Sequence, residues 1–296
     1  MHSGRGFLIV GGDSLVGRST VRAFTRRGQK ALASTRRRET LNSDRIFLDF
    51  EDKDTFVAPE GVGCALVIAA ATNYERCESD PAAAVINAEL IPLLVTALLD
   101  QGLFVTFIST NSVFGGEQPW PREDDPHAPG IAYARQKSEG EQEIRAAAER
   151  RDALDRLSIV RLTKILDAQT PPLPSWLEAW KQGRKVTPFV DLIFAPMSVD
   201  FVGEALATIG EKRVAGNLHL SGAQNVSYVD FAYAVARQLK VDPALIEPTT
   251  AVAKGVHIAF KPTYSGLGMA RTTELTGIRP QPLELLVKDL FPTPTD

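Results

Sequence analysis

The sequence predicts an α/β fold, a Rossmann-type doubly wound parallel sheet with a small C-terminal α/β substrate-binding lobe. Three observations predict it. Short, continuously apolar runs alternate with longer amphipathic segments through the first half of the chain. Strands read this way when helices cover both faces of a parallel sheet. A glycine-rich turn follows the first apolar run directly, as it does where such a sheet meets a phosphate group. After residue 165 the alternation loosens, and Pro171, Pro172 and Pro174 mark a break.

Taken in order, residues 7–10 form the first strand. Residues 14–27 carry Leu15, Val16, Ser19, Val21, Ala23 and Phe24 at helical spacing. Strands are expected at 31–35, 45–48, 65–69, 104–108 and 158–162. Helices are expected at 81–99 and 133–151, and beyond the prolines at 176–182, 199–209 and 228–239. The expected division is a Rossmann domain over 1–165 and a mainly substrate-binding lobe over 166–296, with some of the lobe's elements returning to the Rossmann core. Trp176 and Trp180, one helical turn apart, read as core, and the tail from 291 to 296 reads as frayed.

Composition narrows the function classes. At 44% hydrophobic residues the chain can bury a sizeable core, and a net charge of −3 carries no global signal for nucleic acid or a membrane surface. Cys64 and Cys77 are too few for a disulfide framework, which points to a reducing compartment, the cytoplasm. The smooth apolar stretch at 62–71 contains Gly63 and falls short of the ~20 residues a membrane helix needs. Residues 7–10 are too short for a secretory leader, and Gly11 and Gly12 interrupt them. Neither a nucleic acid nor a membrane is expected as partner, which leaves a small molecule.

The cofactor end begins at the turn Gly11-Gly12-Asp13-Ser14-Leu15-Val16-Gly17, with Ser14 where a middle glycine often stands. Gly11 permits the tight turn, and Gly17 lets the helix approach the strand. The free N–H groups of the first helical turn, around Ser14, Leu15 and Val16, can then hold a pyrophosphate. A carboxylate that would bind an NAD ribose is expected roughly 20 residues on. The second strand instead ends in Arg36-Arg37-Arg38. Guanidinium groups suit a 2′-phosphate, so NADP(H) is expected over NAD(H), with Arg36 and Arg37 at the adenosine phosphate. A solvated basic loop would read the same way.

The catalytic end is Tyr133-Ala134-Arg135-Gln136-Lys137 at the start of a helix. A spacing of four places Tyr133 and Lys137 on one face. A phenol has a pKa of about 10, and a nearby ammonium should lower it. Upstream, the fifth strand runs into Ser109-Thr110-Asn111-Ser112, which places the Thr110 hydroxyl at the carboxyl end of the sheet.

Glycine turn, threonine strand end and Tyr/Lys helix, in that order, resemble the extended short-chain dehydrogenase/reductase family. Within it the chain is similar to the dTDP-4-dehydrorhamnose reductase branch, the sugar-nucleotide-binding reductases. The likeness includes Leu48-Asp49-Phe50, Ala69-Ala70-Ala71-Thr72, Glu75, Cys77 to Pro81, Asn87, Ile159 to Leu162 and Gly216 to Ser221. It implies catalytic roles for Thr110, Tyr133 and Lys137, with Lys137 also on the nicotinamide ribose. It implies that Asp49 and Phe50 touch the adenine, and that Ala69, Ala70, Ala71 and Asn87 line the dinucleotide. The implied reaction is NADPH-dependent reduction of a keto group, with a 4-keto-6-deoxy sugar nucleotide as substrate. A homodimer through the helices at 81–99 and 133–151 is also implied.

The chain departs from the branch on the substrate side. Asn111 and Ser112 stand where the branch has Asp-Tyr, and Lys164 stands where it has tryptophan. With Thr72, these are the candidate substrate residues. Asn111-Ser112 also lacks the acid pair of the related dehydratases. A non-sugar carbonyl substrate stays open, as does a non-catalytic NADP-binding regulatory subunit, although the latter would be favoured by loss of Tyr133 or Lys137. His2, His127, His219 and His257 show no metal-ligand spacing, so no metal site is expected. No G-x-S-x-G elbow is present for a serine hydrolase.

Overall fold

Apolar side chains of opposite parity along the first strand separate into two cores, and this places the sheet in the middle of the molecule. The computed structural model describes residues 6–292; His2 and the last four residues of the expected tail lie outside them. In β1 (Gly6–Val10), Phe7 and Ile9 face one layer while Leu8 and Val10 face the other, because successive strand residues point to opposite faces. After α1 (Leu15–Arg26) come β2 (Ala31–Thr35), β3 (Arg45–Phe47) and β4 (Val62–Val67). Then follow α2 (Tyr74–Ser79), α3 (Pro81–Ala84), a π-helical segment (Val85–Leu90) and α4 (Ile91–Asp100). The Rossmann order continues with β5 (Phe104–Thr110), α5 (Ala132–Glu149) and β6 (Leu157–Leu162).

The C-terminal part contains β7 (Ile165–Leu166), α6 (Leu173–Lys181), β8 (Ile193–Phe194), β9 (Met197–Ser198) and α7 (Val199–Lys212). It ends with β10 (Gly216–Leu220), β11 (Val226–Ser227), α8 (Tyr228–Leu239), α9 (Ala270–Thr276) and α10 (Leu283–Leu290). The main sheet has seven strands in the order β10-β6-β5-β4-β1-β2-β3, with parallel pairing throughout. This is a Rossmann-type α/β fold. Strand order reverses between β1 and β4, and ligands of such sheets bind in the crevice opened there at the carboxyl ends.

β10 is the seventh strand of this sheet, and α7 buries Leu206 and Ile209 in the same core as Phe24 of α1. A separate core gathers Trp176, Trp180, Phe194, Phe231 and Leu286. Several expected boundaries move. The fifth strand continues to Thr110, because Ser109 and Thr110 remain in register with Arg161 and Leu162 of β6. The fourth begins at Val62 and ends at Val67, so residues 68–72 continue beyond the strand, and Ile68, Ala70 and Thr72 line the crevice. The helix expected at 81–99 is interrupted by the π-helical segment, which turns Asn87 inward. Among the described residues, the stretch Pro81–Asp100 is long and apolar enough by composition to cross a membrane. Here Leu94, Val95, Leu98 and Leu99 of that stretch pack into the core that also holds Val105 and Phe107 of the sheet.

Candidate active site

The first wall of the crevice is backbone. Gly11 has φ +89°, and a Cβ there would lie 2.7 Å from the Ala69 nitrogen. A Cβ on Gly17 would lie 2.2 Å from the Gly11 carbonyl oxygen. Ser14 is the N-cap of α1; its hydroxyl accepts the Gly17 N–H at 3.0 Å and donates to the Gly11 carbonyl at 2.8 Å. The hydroxyl thus does at this turn what a capping side chain does for any helix start, which explains why a serine is accepted in place of glycine. Leu15 and Val16 begin the helix, and Val16 reaches the cleft wall. Gly17→Ala is expected to destabilise the protein by about 1–3 kcal/mol through overpacking against unyielding backbone. The urea midpoint measures this, and an unchanged midpoint would contradict the close approach.

At the end of β2 the arginines separate. Arg36 is exposed, with no hydrogen bond or ion pair among the described residues. Arg37 donates to Asp13 Oδ1 at 2.8 Å, and Arg38 lies 3.7 Å over the Phe47 ring. Arg45 also pairs with Asp13, and the Thr35 hydroxyl donates to Asp13 Oδ2 at 2.7 Å. Burial alone would raise the Asp13 pKa, but the hydrogen bonds from Arg37, Thr35 and Arg45 hold it down at about 2. Asp49 and Phe50 follow β3 at the outer edge of the sheet; Asp49 N–H donates to the Thr55 hydroxyl, and Phe50 packs half-buried on the core.

Of the three alanines after β4, Ala70 lines the cleft, Ala69 lies against Gly11, and Ala71 packs with Cys77, Ala83 and Tyr133. Asn87, expected to line the dinucleotide, does not face it. It is fully buried; its Oδ1 accepts the Ala71 N–H at 3.0 Å, and its Nδ2 donates to the Ala71 carbonyl at 2.8 Å and to Gln136 Oε1 at 3.0 Å. Its polar atoms are engaged inside the protein, so it clamps the crevice segment to α5. Gln136 completes this clamp by donating to the Cys77 carbonyl.

Thr110, Tyr133 and Lys137 converge from β5 and α5 on one cleft of about 1130 Å³. Thr110 Oγ1 lies 3.0 Å from Ser112 Oγ and accepts the Ser112 N–H at 3.2 Å. Tyr133 sits in the first turn of α5, where the Ala132 N–H donates to Glu78 Oε1 at 3.0 Å. Its ring packs against Tyr74 with centroids 5.4 Å apart. Burial first, and then Tyr74 and Cys77, push the Tyr133 pKa up, while the neighbouring Thr110 hydroxyl acts the other way. Lys137 was expected to lower that pKa, and it does not. Its ammonium donates to the Ile108 carbonyl at 2.8 Å and lies 4.0 Å over the Phe107 ring, anchored beneath the strand ends rather than against the phenol. Burial pushes the Lys137 pKa down to about 7, with Glu141 opposing it.

The expected substrate residues separate in the same way. Thr72 lies exposed on the cleft wall. Asn111 lines the cleft, but its amide donates to the backbone and hydroxyl oxygens of Ser265 at 2.9 and 3.1 Å, tying the C-terminal loop to the sheet. Ser112 does not line the cleft: it is fully buried behind Thr110 and steers that hydroxyl. Lys164 does line it; burial lowers its pKa, and its ammonium has no hydrogen bond or ion pair among the described residues. Sequence reasoning missed Asp13, Tyr74, Gln136 and Tyr228, which lines the cleft and stacks on Phe194 at 4.4 Å.

Behind the site, Arg161 and Glu141 form an ion pair at 2.7 Å with side chains only 3% and 4% exposed. Arg161 also donates to the Glu123 carbonyl and to the Nε2 atoms of His127 and His219. His219 Nδ1 meets the Gly268 carbonyl at 2.9 Å and must donate there, and burial, with Arg161 beside it, drives its pKa down to about 3. These histidines are neutral hydrogen-bond partners. Among the described residues no group of His, Cys, Asp and Glu is placed to hold a metal ion.

The family described as RmlD substrate binding domain matches residues 5–293 of this chain. A Streptomyces antibioticus protein named as a probable dTDP-4,6-dihydroxy-2-methyloxan-3-one 4-ketoreductase is 29% identical over 281 residues, covering 93% of this chain and 90% of that protein. A dTDP-4-dehydrorhamnose reductase of Streptomyces griseus is 26% identical, covering 90% and 86% of the two chains. Among solved structures, the Bacillus anthracis dTDP-4-dehydrorhamnose reductase in complex with NADP superposes with a TM-score of 0.81 at 19% identity, over 97% of this chain and 99% of that one.

Proposed function

This chain belongs to the RmlD substrate-binding-domain family, and from that premise we propose that it is an NADP(H)-dependent oxidoreductase that reduces the 4-keto group of a deoxysugar nucleotide. The observation that carries this reading is the placement of the Thr110 and Tyr133 hydroxyls on one cleft wall, at the carboxyl ends of a parallel sheet, with Lys137 beneath them. The residues suit the dinucleotide. Gly11 packed against Ala69 and Gly17 packed against Gly11 bring the start of α1 close to the strand ends, and Ser109 Oγ, buried on the cleft wall, has no partner among the described residues. Asp49, Phe50, Arg36 and Arg37 would hold the adenosine end. NADP(H), when bound there, supplies the hydride for the carbonyl carbon.

The chain's own groups handle the oxygen. With its pKa raised, Tyr133 keeps its proton at neutral pH, the state a general acid needs, and gives it to the carbonyl oxygen as negative charge develops. Thr110, steered by Ser112, donates to the same oxygen and orients it. The Lys137 ammonium has three donors; one is engaged by Ile108, and the others suit the hydroxyls of a ribose. Because Asn111 is held by Ser265, Lys164 on the cleft wall is the substrate-side residue that would set charge preference, its ammonium suiting a diphosphate. Lys164→Met is expected to raise KM about tenfold with kcat nearly unchanged, since a binding interaction common to ground and transition states is removed. A fall in kcat alone would contradict that role. The reading itself is tested by following NADPH oxidation with a dTDP-4-keto-6-deoxyhexose; no turnover, with turnover of a simple ketone, would favour a non-sugar carbonyl. We also take the chain to be cytoplasmic and homodimeric through the helices at 81–99, which expose Val85 and Leu93, and at 133–151, with the Rossmann domain over 1–165 and the lobe over 166–296.

A further inference from the structure

The basic run after β2 contains an anion that comes from elsewhere in the chain. Asp13 belongs to the turn between β1 and α1, yet its carboxylate lies against Thr35, the last residue of β2. That is where a strand-end acid would accept hydrogen bonds from an adenosine ribose. Oδ2 accepts from the Thr35 hydroxyl at 2.7 Å, and Oδ1 accepts from Arg37 at 2.8 Å and from Arg45.

Given the dinucleotide-binding reading above, we propose that Asp13 sets this chain's cofactor preference, by supplying from the first turn the ribose-binding carboxylate that β2 lacks. It thereby admits NAD(H) beside NADP(H) and opposes the 2′-phosphate that the arginines attract. An ionised carboxylate has about four lone-pair positions. Three donors occupy three of them here, and a ribose hydroxyl, which can donate, suits the remaining one. A phosphate dianion has no proton to donate. It is repelled by the carboxylate and must share Arg37 and Arg45 with it. Arg36, exposed and unpaired among the described residues, is left to meet the phosphate. With its pKa near 2, Asp13 is charged throughout the working pH range.

Calorimetric titration of NADP+ and NAD+ into the wild-type chain and the Asp13→Asn and Asp13→Ala variants tests the assignment without turnover. Asn preserves the shape and removes the charge, and Ala removes both, so a shared direction isolates the charge. The expected result is that both variants bind NADP+ about tenfold more tightly and NAD+ about tenfold more weakly than wild type, each about 1.4 kcal/mol. An unchanged ratio of the two affinities overturns the proposal. So does weaker NADP+ binding, which would mean that Asp13 only braces the arginines for the phosphate. If the wild type binds neither dinucleotide, the oxidoreductase reading fails and this inference fails with it.

Discussion

Tyr133→Phe is expected to lower kcat by about a thousandfold while leaving NADPH affinity unchanged, within the range that a positioned general acid contributes. The substitution removes one oxygen and little else. Tyr133 is buried, and its ring contact with Tyr74 is made by ring carbons that phenylalanine keeps. Thr110 would still bind the carbonyl oxygen, so residual turnover should persist above the uncatalysed rate. A KM effect of similar size, or a loss of NADPH binding, would mean that the phenol is a binding group. Near-normal kcat would remove Tyr133 from the reaction.

The second large effect is on stability. Arg161→Leu is expected to cost about 3–5 kcal/mol, the usual consequence of leaving one member of a buried ion pair alone. Glu141 would then sit in the interior with only the weakly basic His127 at 3.5 Å and the Lys137 amine, whose own pKa burial pushes down to about 7, to offset its charge. The sign of the pH dependence follows. An unpaired buried carboxylate has a raised folded-state pKa, so the folded variant takes up a proton more readily than the unfolded chain. Its deficit relative to wild type should therefore be smaller at pH 5 than at pH 8. Guanidinium denaturation at the two pH values measures this; a deficit independent of pH would contradict the unpaired-charge account. The network also reaches the site. Arg161 holds Glu123 and His127 of the loop that leads into α5, the helix that carries Tyr133 and Lys137.

What could be read from the sequence is what local spacing encodes. Gly11 and Gly17 lie in one turn, and Tyr133 and Lys137 lie four apart on one helix. Thr110 closes an apolar run. Their placement on the crevice follows once the sheet order is known. Asn87 and Ser112 were misassigned because their partners are tertiary or behind the strand end: Asn87 meets Ala71 and Gln136, and Ser112 turns back onto Thr110. Asp13 was overlooked for the same reason, since Thr35, Arg37 and Arg45 reach it from two other strand ends. The direction of the Tyr133 pKa was misjudged because helical spacing cannot show that Lys137 bends toward Ile108. The extension of the fifth strand was missed because Ser109 and Thr110 interrupt its apolar pattern, although both are paired with β6.

The central claim is that two hydroxyls from different elements act on one carbonyl oxygen. A crystal structure of the chain with NADP+ and a thymidine-diphosphate 4-keto sugar, or its reduced product, tests this directly. The Tyr133 and Thr110 hydroxyls should both lie about 2.7 Å from the C4 oxygen of the sugar. A Tyr133 oxygen directed to solvent, or a C4 oxygen bound by other residues, would contradict it.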